Sequence, residues 1–298
     1  MSSPTPTPTR ALVLGGGGVT GMGWEIGVLA GLLDEGVDLR DADTVIGTSA
    51  GSFIGTNYTS GTDWETLFAD QDHAGENEPV MHTDPAVYEG WTQAFITGAG
   101  DPEAVGAGFG RVARTFGAGV DTETRRAVVR SRLRTTHWPA AMRVAVTDAD
   151  TGQLRLLGPD AGIDIETATA ASGAVPGIWP SVHFDGREWI DAGMVSAANA
   201  TLAAGHDRIV VLAPMPEGHA GIPSAQDDVA RLNGTGAHAF LAAPDAAARE
   251  AIEPLRPHPR PRGSRRRPPP RPHPRPRHQA DVELNHGGEP GVGGSLPE

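Results

Sequence analysis

The 298-residue chain contains no cysteine and no lysine. Without Cys, disulfides and thiolate-bound metals are excluded, and the redox compartment leaves no mark. All 24 basic residues are Arg, against 37 acids, and the formal charge is −13. The missing Lys fits GC-rich coding rather than a function. The negative balance argues against general nucleic-acid binding. No apolar run approaches the roughly 18 residues that would span a bilayer. The opening MSSPTPTPTR has no apolar core of a signal peptide, and its alternating Pro and Thr predict disorder over residues 1–9. A soluble cytoplasmic protein is therefore expected, with peripheral membrane contact left open. The length suits one large α/β domain or two small ones.

What is abundant is glycine and proline, unevenly placed. Residues 256–277 read RPHPRPRGSRRRPPPRPHPRPR, with nine Arg and no acid. Such a stretch cannot offset the entropy of ordering by burial, so disorder is expected over 256–298. One reading is a basic, polyproline-like tail for acidic or SH3-like partners. The other is out-of-frame translation of GC-rich DNA, which the abrupt switch after Ala246–Ile252 favours. An intact reading frame near codon 253 of the native gene would exclude it. The domain itself is expected over 10–255.

Ala11–Leu14 reads as a short apolar strand, followed by GGGGVTG over 15–21. Trp24, Ile26, Val28, Leu29, Leu32 and Leu33 then recur at helical spacing up to Gly36, a C-terminal stop signal. Strand, glycine turn and helix N-terminus together make an anion site. Gly16, Gly18 and Gly21 formally match the dinucleotide fingerprint. That fold wants an acid at the end of the second strand, for the ribose hydroxyl. Here the second strand, Thr44–Ile46, runs instead into GTSAG, and Asp41 and Asp43 lie at its wrong end. The other anion is a transient one, the oxyanion of ester cleavage.

GTSAG over 47–51 has the form G-x-S-x-G. With 40 Gly and 12 Ser, chance gives roughly 0.2 matches, so the pattern needs its context. The context is a strand before it and the apolar helix Ser52–Ile54 after it, as a nucleophile elbow requires. The competing reading of Ser49 is a helix N-cap. If the two strands are parallel neighbours, Ser49 sits beside Gly16, Gly17 and Gly18.

A serine nucleophile needs a base. Among His73, His82, His137, His183, His206 and His219, none has a recognisable catalytic context, and no His pair has metal-site spacing. Asp191 is better placed. Val182–Ile190 reads as two strands joined at Asp185-Gly186, a type I′ turn signal. The second strand delivers Asp191, followed by Ala192 and Gly193. The plainer reading is that Asp191 caps the next turn. Residues 196–205 read as a helix, and Arg208–Ala213 as a buried strand.

LGGGGVTG, GTSAG and DAG, in that order, resemble the patatin-like phospholipase family. The similarity extends through GMGWEIGVLAGL, ATAASGAVPGIWP and NATLAAG, over roughly residues 10–250. The resemblance implies a three-layer α/β/α fold with a mainly parallel central sheet. It implies a Ser–Asp dyad without His, with Ser49 as nucleophile, Asp191 as base and Gly16, Gly17 and Gly18 as the oxyanion hole. It implies a lipid acyl hydrolase acting on carboxylic esters through an acyl-enzyme, with no metal or organic cofactor. Two positions depart from the family pattern. Thr20 stands where the family usually has Arg or Lys, which bears on any preference for anionic headgroups. Ala192 stands for the usual Gly, and Ala requires an ordinary φ. The reading kept beside this one is a weak or inactive relative that binds lipid or a protein partner.

Residues 61–137 carry no chemical motif. Val87, Tyr88, Trp91 and Phe95 predict a helix near 86–97 that packs into the core, or else forms a lid. The basic run from Arg125 to Arg134 predicts a helix with a solvated face, or one that binds acidic headgroups. Arg143–Thr147 and Leu154–Leu157 read as hairpin strands about Asp150–Gly152. Pro176 and Trp179 are expected to shape the pocket wall.

Overall fold

Strand β1 (Arg10–Leu14) is central to the sheet, because its short apolar sequence is buried on both faces. Such strands lack polar alternation, as expected where helices cover both sides. A computed structural model describes residues 7–72, 79, 83–196, 198–218 and 221–252. The N-terminal stretch 1–6, His73, His82 and His219 and the basic tail lie outside the described residues.

After β1 come α1 (Gly18–Asp34), β2 (Thr44–Gly47), α2 (Ala50–Thr59), α3 (Trp64–Asp72), α4 (Pro85–Gly98), α5 (Pro102–Phe116) and α6 (Thr122–Arg132). Then follow β3 (Met142–Asp148), β4 (Leu154–Leu157), α7 (Ile165–Ser172), β5 (Val182–Phe184) and β6 (Arg187–Asp191). The last elements are β7 (Arg208–Leu212), α8 (Ala225–Gly234), β8 (His238–Ala242) and α9 (Ala246–Ile252). The sheet order is β5-β6-β3-β2-β1-β7-β8, with β4 also paired to β3. Strands β3, β2, β1, β7 and β8 are mutually parallel, and β4, β5 and β6 join antiparallel. This is the expected α/β architecture with a mainly parallel sheet.

Alternation along β1 sorts the core into two layers. Leu12 and Leu14 face Met22, Ile26 and Leu29 of α1, and Phe53 and Ile54 of α2. Ala11 and Val13 share the opposite face with Val229 and Leu232 of α8. Helices α4 and α5 pack on each other and bury Ala94, Val105 and Phe109 with Ala149 and Ile190.

Helix starts follow local chemistry. Asp84, Asp101, Asp121 and Asp164 each accept a first-turn amide, and Pro85 and Pro102 open α4 and α5. Aspartate satisfies donors that a helix N-terminus leaves unpaired. The β5–β6 hairpin turns through Asp185 (φ 55°) and Gly186 (φ 65°), as the sequence predicts.

One predicted element is absent. Residues 200–203 form only a single 3-10 turn, and no α-helix runs from 196 to 205 among the described residues. Asn199 takes a left-handed conformation with φ 55°, which interrupts a right-handed helix.

Candidate active site

The parallel register of β1 and β2 places Leu14 opposite Gly47. Both chains therefore leave the sheet at the same end, and their loops lie together. The Thr48 amide donates to Leu14 O at 3.0 Å, and the Gly51 amide to Gly15 O at 3.0 Å. These bonds join the glycine loop to the GTSAG turn.

Ser49 sits at φ 50° and ψ −114°, one of four described non-glycine residues with positive φ. Such backbone strain requires surroundings that hold it. Steric demand explains the flanking glycines. A Cβ on Gly51 would overlap the Leu14 carbonyl, and one on Gly47 would overlap the backbone of Gly51 and Ser52. We expect Gly51→Ala to lower stability by about 2–4 kcal/mol, as overpacking against rigid backbone does. Urea denaturation followed by circular dichroism reads this directly. An unchanged midpoint would contradict the close approach.

By position Ser49 is the N-cap of α2, yet its side chain forms no cap hydrogen bond. Its hydroxyl instead lies beside the Asp191 carboxylate, on the same cavity, and lowers that group's pKa. Its amide donates to Ser172 Oγ at 2.8 Å. The structure thus brings Ser49 and Asp191 together across 142 positions of sequence.

Asp191 ends β6 and is 1% exposed. Its Oδ1 accepts the Gly193 amide at 2.7 Å, so it does cap the following 3-10 turn. Burial pushes its pKa up to about 6, opposed by the Gly193 amide, the Ser49 hydroxyl and the charge of Arg125. A carboxylate in this range accepts protons near neutrality far better than an exposed one. Ala192 stays in the ordinary range of φ, so the turn after Asp191 accommodates its Cβ.

Gly16, Gly17 and Gly18 line the same cavity as Ser49 and Asp191, and a Cβ on Gly16 would lie 3.6 Å from that of Ser49. The Gly15 amide is taken by Leu212 O at 2.9 Å, whereas the amides of Gly16 and Gly17 meet no backbone acceptor among the described residues. Thr20 Oγ1 donates to Gly17 O at 3.2 Å and so tethers the loop. Glu25 lies fully buried behind the loop, its pKa raised well above the carboxylate range by burial and opposed by the Gly15 amide.

The cavity measures about 730 Å³ and is lined largely by apolar groups, among them Met22, Phe53, Val175, Ile178 and Trp179. Trp179 forms wall as expected. Pro176 acts one layer back, its carbonyl accepting Trp91 Nε1–H at 2.9 Å. Helix α4 packs Val87 into the core, while Phe95 reaches the cavity.

The basic helix is the main correction. Arg126 and Arg130 do face outward, pairing with Glu166 at 3.2 and 2.8 Å. Arg125 does not: it is 3% exposed, donates to Gly173 O at 3.2 Å and lies 4.2 Å from the Trp179 ring centroid. Arg132, two turns further along the same face, lines the cavity 5.5 Å from the Phe53 ring. The spacing of Arg125, Val128, Val129 and Arg132 was the available signal, since it is one face of a helix. The Trp179 ring, with Phe53 at 5.9 Å, accommodates the Arg125 guanidinium away from water. Its charge also holds Asp191 below the value that burial alone would give. We expect Arg125→Met to move the acidic limb of any Asp191-dependent reaction to higher pH, read from a rate–pH profile. An unmoved limb would mean the charge is not felt at Asp191.

Among the described residues no cluster of three or more His, Asp or Glu is arranged to hold a metal. No described helix is long and apolar enough to cross a membrane.

The patatin-like phospholipase family model matches residues 12–204, a span that includes the glycine loop, the elbow and Asp191. The chain belongs to the patatin-like phospholipase family. Comparison with curated proteins gave no match. Among solved structures, the type III effector protein ExoU is 18% identical, with TM-score 0.38 over 83% of this chain and 51% of that one. VipD from Legionella pneumophila is 14% identical, with TM-score 0.33 over 72% of this chain and 51% of that one. The ExoU–SpcU heterodimer from the Pseudomonas aeruginosa type III secretion system matches at 15% identity and TM-score 0.37, over 84% and 50%. This patatin-like chain therefore spans about half the length of the solved structures it resembles.

Proposed function

We propose that this patatin-like protein is a serine carboxylic-ester hydrolase that cleaves lipid acyl esters through Ser49 and Asp191. The observation that carries the reading is the meeting of Ser49, held on a strained turn, with the buried Asp191, its pKa about 6, on one cavity lined by Gly16, Gly17 and Gly18.

The chemistry follows from the geometry. Ser49 Oγ attacks the ester carbonyl carbon as its proton passes to Asp191. Negative charge gathers on the carbonyl oxygen, and the amides of Gly16, Gly17 and Gly18 supply the donors that stabilise it. Collapse breaks the ester C–O bond, and Asp191 returns the proton to the departing alkoxide. Water then attacks the acyl-enzyme, giving its proton to Asp191; as the acyl C–Oγ bond breaks, Asp191 passes that proton to Ser49 Oγ and the acid leaves. No cofactor enters these steps.

The apolar walls suit an acyl chain, since a site of this volume gains affinity mainly by burial of apolar surface. Met215, at 43% exposure, carries the apolar lining out to the rim. A peripheral contact with lipid at that rim, by a cytoplasmic protein, completes the reading.

Labelling with a fluorophosphonate probe tests it. The reading expects one adduct, mapped by mass spectrometry to Ser49 and lost in Ser49→Ala and Asp191→Asn. A folded protein that takes no label would refute the hydrolase and leave a binding role for the fold.

A further inference from the structure

Asn199 is 0% exposed, lines no part of the cavity, and yet touches both halves of the dyad's support. Its Nδ2 donates to Thr48 Oγ1 at 3.1 Å and to the Ala192 carbonyl at 3.1 Å. Thr48 immediately precedes Ser49, and Ala192 immediately follows Asp191. One amide therefore spans two turns that lie 144 positions apart in sequence.

The orientation of the amide is decided by its partners. A backbone carbonyl only accepts, so the group facing Ala192 has to be the NH₂ and not the oxygen. Aspartate would place a carboxylate against that carbonyl and offer no donor. The backbone also selects the residue: φ is 55°, a conformation that Gly and Asn adopt more readily than other residues. The position is anchored from behind. The Asn199 backbone N–H donates to Ser196 Oγ at 2.8 Å, and Ser196 Oγ donates in turn to Asp228 Oδ2 at 3.2 Å. Asp228 belongs to α8, so the clamp is fixed to a helix and not only to its own loop.

We propose that Asn199 is a positioning residue that sets the separation of Ser49 and Asp191 by tying Thr48 to Ala192. It touches neither substrate nor the reacting atoms. Its effect on rate arises because reacting groups misplaced by about an ångström lose roughly a hundredfold in rate. The inference rests on the hydrolase reading above.

The test uses Asn199→Gly, which keeps the left-handed backbone and removes the amide, together with Thr48→Val and the double variant. Thermal denaturation selects conditions in which every variant is folded. The rate of fluorophosphonate labelling, and kcat and KM on a soluble ester, are then measured. Asn199→Gly is expected to lower the labelling rate and kcat about a hundredfold, with KM within about twofold. Thr48→Val is expected to lower them less. Adding it to Asn199→Gly should give little further loss, because both remove the same tie. Asn199→Asp, isosteric but without the donor, should resemble Asn199→Gly. A folded Asn199→Gly that labels at the wild-type rate overturns the inference while leaving the hydrolase standing. So does a loss confined to KM, or strict additivity with Thr48→Val. Failure of the wild-type protein to label overturns both together.

Discussion

Replacing Ser49 by Ala is expected to abolish ester hydrolysis, with kcat falling by roughly four to six orders of magnitude, as nucleophile removal does in serine hydrolases. What remains would come from binding and the glycine-loop amides alone. The substitution should leave the fold intact. The Ser49 side chain makes no cap bond, so Ala removes only the hydroxyl beside Asp191. Ser49→Gly should be equally inactive but more stable, by about 1 kcal/mol, because glycine adopts φ 50° without strain. Hydrolysis of a p-nitrophenyl ester and a urea titration separate the two effects. A Ser49→Ala protein retaining a tenth of wild-type activity would place the nucleophile elsewhere.

The second large effect is expected at Asp191, on activity and stability together. With a pKa of about 6, the basic form is lost below that pH, so kcat/KM should fall about tenfold per pH unit on the acid side. Asp191→Asn should be inactive at every pH. Its stability should move the other way. The folded pKa lies above the unfolded value of about 3.9, so the folded state binds a proton that the unfolded state has released between those two values. The native protein is then favoured below about pH 4, and this contribution is lost as pH rises through 6. Asparagine has no such dependence. Asp191→Asn should therefore be more stable than wild type at pH 7.5, by about 3 kcal/mol, and no more stable at pH 4. Paired thermal melts at the two pH values check this. A variant less stable at pH 7.5 would mean that the carboxylate is better paired than its burial implies.

Both effects concern residues whose meeting was legible before the fold was known. GTSAG between strand and helix, and a hairpin ending in Asp191, are local signals, and local signals survive in sequence. The Asp185-Gly186 turn and the Gly36 stop belong to the same class, and Gly36 does take φ 80° after α1. Arg125 and Asn199 were hidden for different reasons. Arg125 sits in a run of arginines, and only its distance from Val128 and Val129 separates it from the outward-facing Arg126 and Arg130. Its burial depends on Trp179, 54 residues later, which no local pattern registers. Asn199 lies among alanines that favour helix, and tertiary bonds to Thr48 and Ala192 override that preference. Propensity is a weak prior wherever a side chain has such partners.

The position of β1 has a consequence for synthesis. This strand leaves the ribosome before its sheet neighbours, and β2 follows it within about 40 residues. Its other neighbour, β7, pairs Arg10 with Arg208. At about 5–20 residues per second, the second edge of β1 waits roughly 10–40 s for its partner. Over that interval Ala11–Leu14 is an open apolar edge of the kind that recruits other chains. Translation speed and chaperone supply should therefore set the soluble yield of this protein more than its final stability does. Ribosome-bound chains halted before residue 208 should aggregate on release, whereas chains extended past β8 should not.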